Sequence, residues 1–145
     1  MSRLQLALNV TDLDAAVAFY SKLFRTEPAK LRPGYANFAV AEPPLKLVLV
    51  ESGRPGGTLN HLGVEVETTD EVGATHQRLT TEGLDTATED GVTCCYAVQD
   101  KVWVDDPDGA PWEIYTVLAD SEVEHGNELR TVDPCGPGGD CACSA

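Results

Sequence analysis

Positive charge is what this chain lacks. Ten lysines and arginines stand against 24 aspartates and glutamates, giving a formal net charge of −14. A surface so short of basic groups cannot offset phosphate charge, which excludes nucleic acid and anionic membranes as partners. Apolar runs of transmembrane length are missing as well. The start of the chain reads as a strand rather than as a secretion leader, so no leader is expected. Cysteine is sparse and odd in number, five in all with two adjacent. Without a leader, such thiols fit a reducing cytosol, where they stay available for metal or redox chemistry, so a cytoplasmic location is expected. The 145 residues, 42% of them hydrophobic, are enough for one compact domain with a core.

The most informative stretch that is present runs from Thr58 to Val66. Leu62, Val64 and Val66 point one way and His61, Gly63 and Glu65 the other, the period of a strand with one buried apolar face. Leu4 to Val10 has the same phase, with Leu4, Leu6, Leu8 and Val10 against Gln5, Ala7 and Asn9. A shift of 56 residues lays Gln5 on His61 and Leu6 on Leu62. Lys46–Val50 matches Trp112–Thr116 in the same manner. An internal repeat of this size implies two copies of one supersecondary unit. The fold expected is α+β, with two tandem βαβββ units over about residues 3–51 and 59–118 in a domain spanning 1–119. Paired open sheets of this kind bury their concave faces against each other.

In chain order, Thr11 to Asp14 reads as a capping box with Thr11 at the N-cap. Leu13, Val17, Tyr20 and Phe24 form one face of a helix over roughly 12–24. Pro28 and Pro33-Gly34 break the chain, 35–41 reads as a strand, and 45–50 closes the unit. Residues 52–57 form the linker. Thr68 with Glu71 is a second capping box, and a weaker helix runs to about Glu82, ended by Gly83. Asp90-Gly91 suggests a turn, with a strand near 101–105. Asp106-Pro107-Asp108-Gly109 fits a type I turn leading to a strand over 112–117. Residues 120–145 are acidic, then rich in glycine and proline, and read as a flexible tail.

These units resemble the vicinal oxygen chelate superfamily, which includes glyoxalase I, fosfomycin-resistance enzymes and extradiol dioxygenases. The resemblance rests on Leu4–Val10 with Thr11-Asp12 and Phe19-Tyr20, on Asn60-His61-Leu62-Gly63-Val64, and on Asp106-Pro107-Asp108-Gly109 followed by Trp112-Glu113-Ile114-Tyr115. It implies a half-barrel pair with a divalent metal held by inward strand positions, here Gln5, a position near Leu47, His61 and Glu113. The faces agree: Gln5, His61 and Glu113 each lie opposite an aliphatic stripe. A lone strand histidine is more often a hydrogen-bonded core residue than a ligand, and it is the three together that point to a metal. Leu47 cannot ligate, which leaves an amide oxygen, an imidazole and a carboxylate with open positions beside them. That set is a variant of the facial triad for non-haem iron(II), and it tolerates other divalent ions. His76 reads as solvated and His125 as part of the tail.

Cys94-Cys95 is the second feature. A ring disulfide between neighbours is strained, so the pair reads as two thiols, soft ligands for trivalent arsenic, cadmium or mercury. Neighbours in a regular strand face opposite ways, so joint chelation requires 93–96 to be irregular. The plainer reading is one buried and one exposed structural cysteine. Thr93-Cys94-Cys95-Tyr96 with the run through Val104, and Arg32–Ala39, resemble the ArsI/CadI group of carbon–arsenic lyases and cadmium-induced proteins. That resemblance implies iron(II)- and dioxygen-dependent cleavage of trivalent organoarsenicals such as methylarsonite to arsenite, serving arsenic or heavy-metal resistance. Cys94 and Cys95 would bind arsenic, and Gln5, His61 and Glu113 would bind iron. Tyr96 and Lys101 are candidate loop or substrate contacts, although Lys101 reads first as an exposed lysine.

In the tail, Cys135, Cys141 and Cys143 are candidates for soft-metal capture, with a dispensable extension as the equal alternative. Two other functions stay open: a cadmium or soft-metal binder without catalysis, and a glyoxalase-type metalloenzyme. A homodimer, with half-units paired within one chain or swapped between two, is left open too.

Overall fold

The computed structural model describes residues 2–122. Tail residues Cys135, Cys141 and Cys143, like His125, lie outside the described residues. The chain divides into two compact units after Leu62.

The first unit contains β1 (Arg3–Asn9), α1 (Leu13–Phe24), β2 (Lys30–Arg32), β3 (Tyr35–Val40) and β4 (Leu45–Val50). Its strands follow in the order β2-β3-β4-β1. β4 runs parallel to β1 and antiparallel to β3. β2 was not anticipated from the sequence, because three residues are too few to show a period. It forms a two-residue hairpin with β3 through Pro33-Gly34, and Gly34 takes the positive φ of 71° that the turn demands. The N-cap of α1 is Asp12 rather than Thr11, its Oδ1 accepting from Ala15 N at 3.1 Å. Thr11 is engaged differently: a Cβ on Gly56 would lie 2.9 Å from its backbone nitrogen, so the linker passes too close for any residue but glycine. Leu13 packs with Ala36, Phe38, Val40, Leu47 and Leu49, and Val17, Tyr20 and Phe24 close the cluster from the helix. That face is the one the i, i+4, i+7 spacing indicates.

The second unit contains the end of β5 (Thr58–Glu65), α2 (Thr69–Thr81), β6 (Ala87–Cys94), β7 (Ala97–Asp105) and β8 (Pro111–Asp120). It repeats the βαβββ order of the first. The Thr68–Glu71 capping box is complete, and Gly83 at φ 85° follows the helix end. β7 and β8 pair antiparallel, as do β6 and β7. Asp106 O accepts from Gly109 N at 3.0 Å, closing the expected turn. Asp90-Gly91 is not the hairpin turn. It lies in a bulge of β6 between Glu89 and Val92, and Gly91 N donates to Asp100 Oδ1 at 2.6 Å. The other Asp100 oxygen takes the Thr69 hydroxyl at 2.6 Å, so one buried carboxylate ties the bulge to the start of α2. Among the described residues no helix is long and apolar enough to cross a membrane.

Candidate metal and thiol sites

In the first unit the polar face of β1 is the deeper one. Gln5, Ala7 and Asn9 are buried, whereas Leu6 and Leu8 are only partly covered. His61 on β5 is 3% exposed, and its Nε2 lies 2.9 Å from Gln5 Nε2. That spacing suits two donors on one cation, since adjacent corners of an octahedron with bonds near 2.1 Å are about 3.0 Å apart. Turning the Gln5 amide over would present Oε1 to such an ion. A neutral amide and an imidazole fit a borderline divalent metal.

Leu47 does not share this face. The register pairs Gln5 with Lys46 and Leu6 with Leu47, and Leu47 is buried in the cluster against α1. The β4 side chains on the Gln5 face are Lys46, Val48 and Val50. The expected location was one residue out of step, and in a strand a single residue turns the side chain to the other face.

In the second unit, β7 and β8 set Trp103 opposite Glu113, Lys101 opposite Tyr115 and Gln99 opposite Val117. Residues directly opposed in antiparallel strands share a face. Across β6, Glu89 opposes Lys101 and Cys94 opposes Ala97. One face therefore carries Glu89, Cys94, Gln99, Lys101 and Glu113, all under 9% exposed. Helix α2 lies on the other face, where Asp100 meets Thr69. Lys101 is not the exposed lysine expected from sequence. Its Nζ donates to Glu113 Oε2 at 2.9 Å and lies 5.4 Å from the Trp103 ring centroid. Burial pulls its pKa down, but Glu113, Cys94 and Glu89 together hold it above the ordinary lysine value. Trp103 Nε1 donates to Glu89 Oε2 at 3.3 Å. His76 is half-buried on α2, its Nδ1 2.9 Å from Thr86 Oγ1.

The cysteine pair lies at the tip of the β6–β7 hairpin. Cys94 opposes Ala97, leaving Cys95-Tyr96 as a two-residue turn with φ 56° and 61°. Positive φ at both central residues is the signature of a type I′ turn, a place that favours Asn-Gly. The irregularity needed for joint chelation is thus present, and the two Sγ atoms lie 3.2 Å apart. Cys94 enters no disulfide and Cys95 enters one, so the pair is not the two thiols expected, and it is not closed into a ring either. Tyr96 is 8% exposed, and its carbonyl accepts from Ser121 N at 2.9 Å.

Sequence reasoning assigned no role to Asn9, Asn60 or Gln99. Each is a buried amide within a strand, and that polarity in a strand was the available signal. Gln99 Nε2 donates to Cys94 O at 3.1 Å, and its Oε1 has no hydrogen-bond partner among the described residues. Among the described residues no three His, Cys, Asp or Glu side chains converge, and the expected ligand set contains only two such residues.

Known proteins share both the sequence and the fold. The profile of the Glyoxalase/Bleomycin resistance protein/Dioxygenase superfamily matches residues 3–114. The cadmium-induced protein CadI of Mycobacterium tuberculosis is 66% identical over 123 residues, 85% of this chain and 81% of that protein. A trivalent organoarsenical cleaving enzyme of Thermomonospora curvata is 61% identical over 124 residues, 85% of this chain and 82% of that protein. Among solved structures, the Mn(II)-bound glyoxalase of Novosphingobium aromaticivorans superposes with a TM-score of 0.58 at 19% identity, covering 90% of this chain and 44% of that one. At that identity the likeness speaks for the fold alone. The chain belongs to the glyoxalase/bleomycin resistance protein/dioxygenase superfamily, with close relatives among the CadI proteins and the trivalent organoarsenical cleaving enzymes.

Proposed function

We propose that this protein is a non-haem iron(II)- and dioxygen-dependent carbon–arsenic lyase that converts trivalent organoarsenicals such as methylarsonite to arsenite. The observation that carries the reading is the Cys94–Cys95 sulfur spacing of 3.2 Å at a hairpin tip, in a chain 61% identical to an organoarsenical cleaving enzyme. Trivalent arsenic is pyramidal with narrow S–As–S angles and accepts a short bite. A tetrahedral zinc-type ion with bonds of 2.3 Å spans about 3.8 Å between its sulfurs. A spacing of 3.2 Å is nearer the arsenic bite than the tetrahedral one, which supports arsenic as the bound element.

Gln5, His61 and Glu113 are the proposed metal ligands, and iron bound there supplies the activation of dioxygen. Cys94 and Cys95 each exchange a thiol proton and an arsenic hydroxyl for an S–As bond, releasing water. Both must be thiols, so the Cys95 disulfide is first reduced by an external dithiol, which supplies two electrons and two protons and is itself oxidised to a disulfide. Holding the arsenical removes the entropic cost of a second encounter. Lys101, paired with Glu113 on the Cys94 face, keeps positive charge beside that carboxylate and that sulfur.

The test is anaerobic iron(II) loading of the reduced protein, then methylarsonite and air, with arsenite measured. Release that needs both iron and oxygen is the expected result, with His61→Ala and Cys95→Ser each abolishing it. Tight arsenic or cadmium binding without release would replace the lyase by the binder.

A further inference from the structure

His61 does not stand alone. A relay of buried amides runs from it to the linker, and its direction is set by one backbone carbonyl. Pro55 O can only accept, and Thr58 Oγ1 donates to it at 2.5 Å. A hydroxyl has one proton, so toward Asn9 Thr58 accepts, and the Asn9 group facing it at 2.9 Å is the amide NH2. Asn9 Oδ1 therefore points the other way, taking Ser52 Oγ at 3.0 Å and Asn60 Nδ2 at 2.9 Å. With its NH2 committed, Asn60 presents Oδ1 to His61 Nδ1 at 3.1 Å. An amide oxygen demands a donor, so Nδ1 carries the proton and Nε2 keeps its lone pair toward Gln5. Reversing Asn60 alone would set its oxygen against Asn9 Oδ1. Protonating Nε2 instead would set two lone pairs face to face at Asn60 and leave a buried acceptor without its donor.

We propose that Asn9 is a positioning residue for metal binding: through Asn60 it locks His61 in the Nδ1–H tautomer and so holds Nε2 ready as a ligand. The metal-binding part rests on His61 being a ligand, as argued above. The lock itself belongs to the metal-free chain. Asn9 is 2% exposed and Asn60 7%, so water does not compete for the Asn9–Asn60 and Asn60–His61 bonds, whereas the Thr58 anchor lies at the surface. The relay also makes the 52–57 linker part of the site's support, since Ser52 and Pro55 take part together with Thr58 at the start of β5. Partners that orient a ligating histidine are worth roughly 10–100-fold in metal affinity.

Two readouts test this. Histidine 15N shifts of the metal-free protein report the His61 tautomer, with His61→Ala identifying the signal. Titration with Co2+, followed by visible absorption, reports affinity. Asn9→Leu removes both ends of the relay. It is expected to mix the tautomers and weaken Co2+ binding by about 10–100-fold. Asn9→Asp still accepts from Asn60 and is expected to restore the Nδ1–H form. Thr58→Val, at an exposed position, removes the anchor without opening the core and is expected to shift the tautomer in the same direction. A His61 tautomer unchanged in both Asn9→Leu and Thr58→Val overturns the proposal. A tautomer shift with wild-type protein that never binds Co2+ leaves the lock standing and sinks the metal reading instead.

Discussion

Lys101 carries a buried charge whose cost is met mainly by groups on the two flanking strands. Glu113 is reached from β8, Glu89 and Cys94 from β6, and the Trp103 ring from the same strand. Breaking one side of such a pair strands the other charge, which typically costs about 3–5 kcal/mol. Lys101→Met is expected to destabilise the metal-free protein by about that amount in urea unfolding. The pH dependence follows from the raised pKa. Protonation is favoured in the folded state, so the lysine's contribution is complete below the ordinary lysine range. It is lost as pH rises through the higher folded value. Unfolding measured from pH 7 upward should show wild type and Lys101→Met converging only in strong alkali. None of this is legible in Asp100-Lys101-Val102, where a lysine in a strand reads as solvated. Its burial depends on which strands lie on either side.

At the scale of elements, the β6–β7 hairpin is where local rule and proposed function conflict. A two-residue turn with φ 56° and 61° suits Asn-Gly, and the chain places Cys-Tyr there. L-residues in this region are disfavoured by about 1–2 kcal/mol, from which asparagine is largely exempt. Under reducing conditions Cys95→Asn is therefore expected to raise stability by about 1 kcal/mol while abolishing arsenical binding. Thermal unfolding alongside titration with a trivalent arsenical checks both. A variant no more stable than wild type would show that the turn is not strained. The same hairpin shows why the Asp90-Gly91 signal misleads. Asp-Gly is a strong turn pair, but the next residues pair with β7, and the glycine serves a bulge held by Asp100. Local composition marks where the backbone departs from a strand. It does not say whether the strand then continues.

For the molecule as a whole, the repeat is the organising fact, and a bound metal should act on global stability. A ligand that binds only the folded chain stabilises it by about 2.7 kcal/mol at a hundred-fold excess over Kd. Wild-type protein titrated with Fe(II) or Co2+ under anaerobic reducing conditions should gain thermal stability that a chelator removes. His61→Ala and Glu113→Gln should each lose most of the gain. A shift that survives both substitutions would place the ion elsewhere.

Much of this is legible in the sequence itself. Alternation in Leu4–Val10 and Thr58–Val66, the 56-residue shift between them and two capped helices determine two βαβββ units. They also put Gln5 and His61 on the faces opposite their aliphatic stripes. These are properties of a strand's own period, and neighbours are not needed to read them. The tertiary structure decided the rest. It moved Leu47 to the helix side, supplied β2, paired Lys101 with Glu113, placed Cys95-Tyr96 in a left-handed turn and joined Asn9 to His61 through Asn60. Each depends on register, on which residue lies across from which. A strand's sequence determines what alternates, whereas only its partner determines which side chains meet, and one residue of slip exchanges one face for the other.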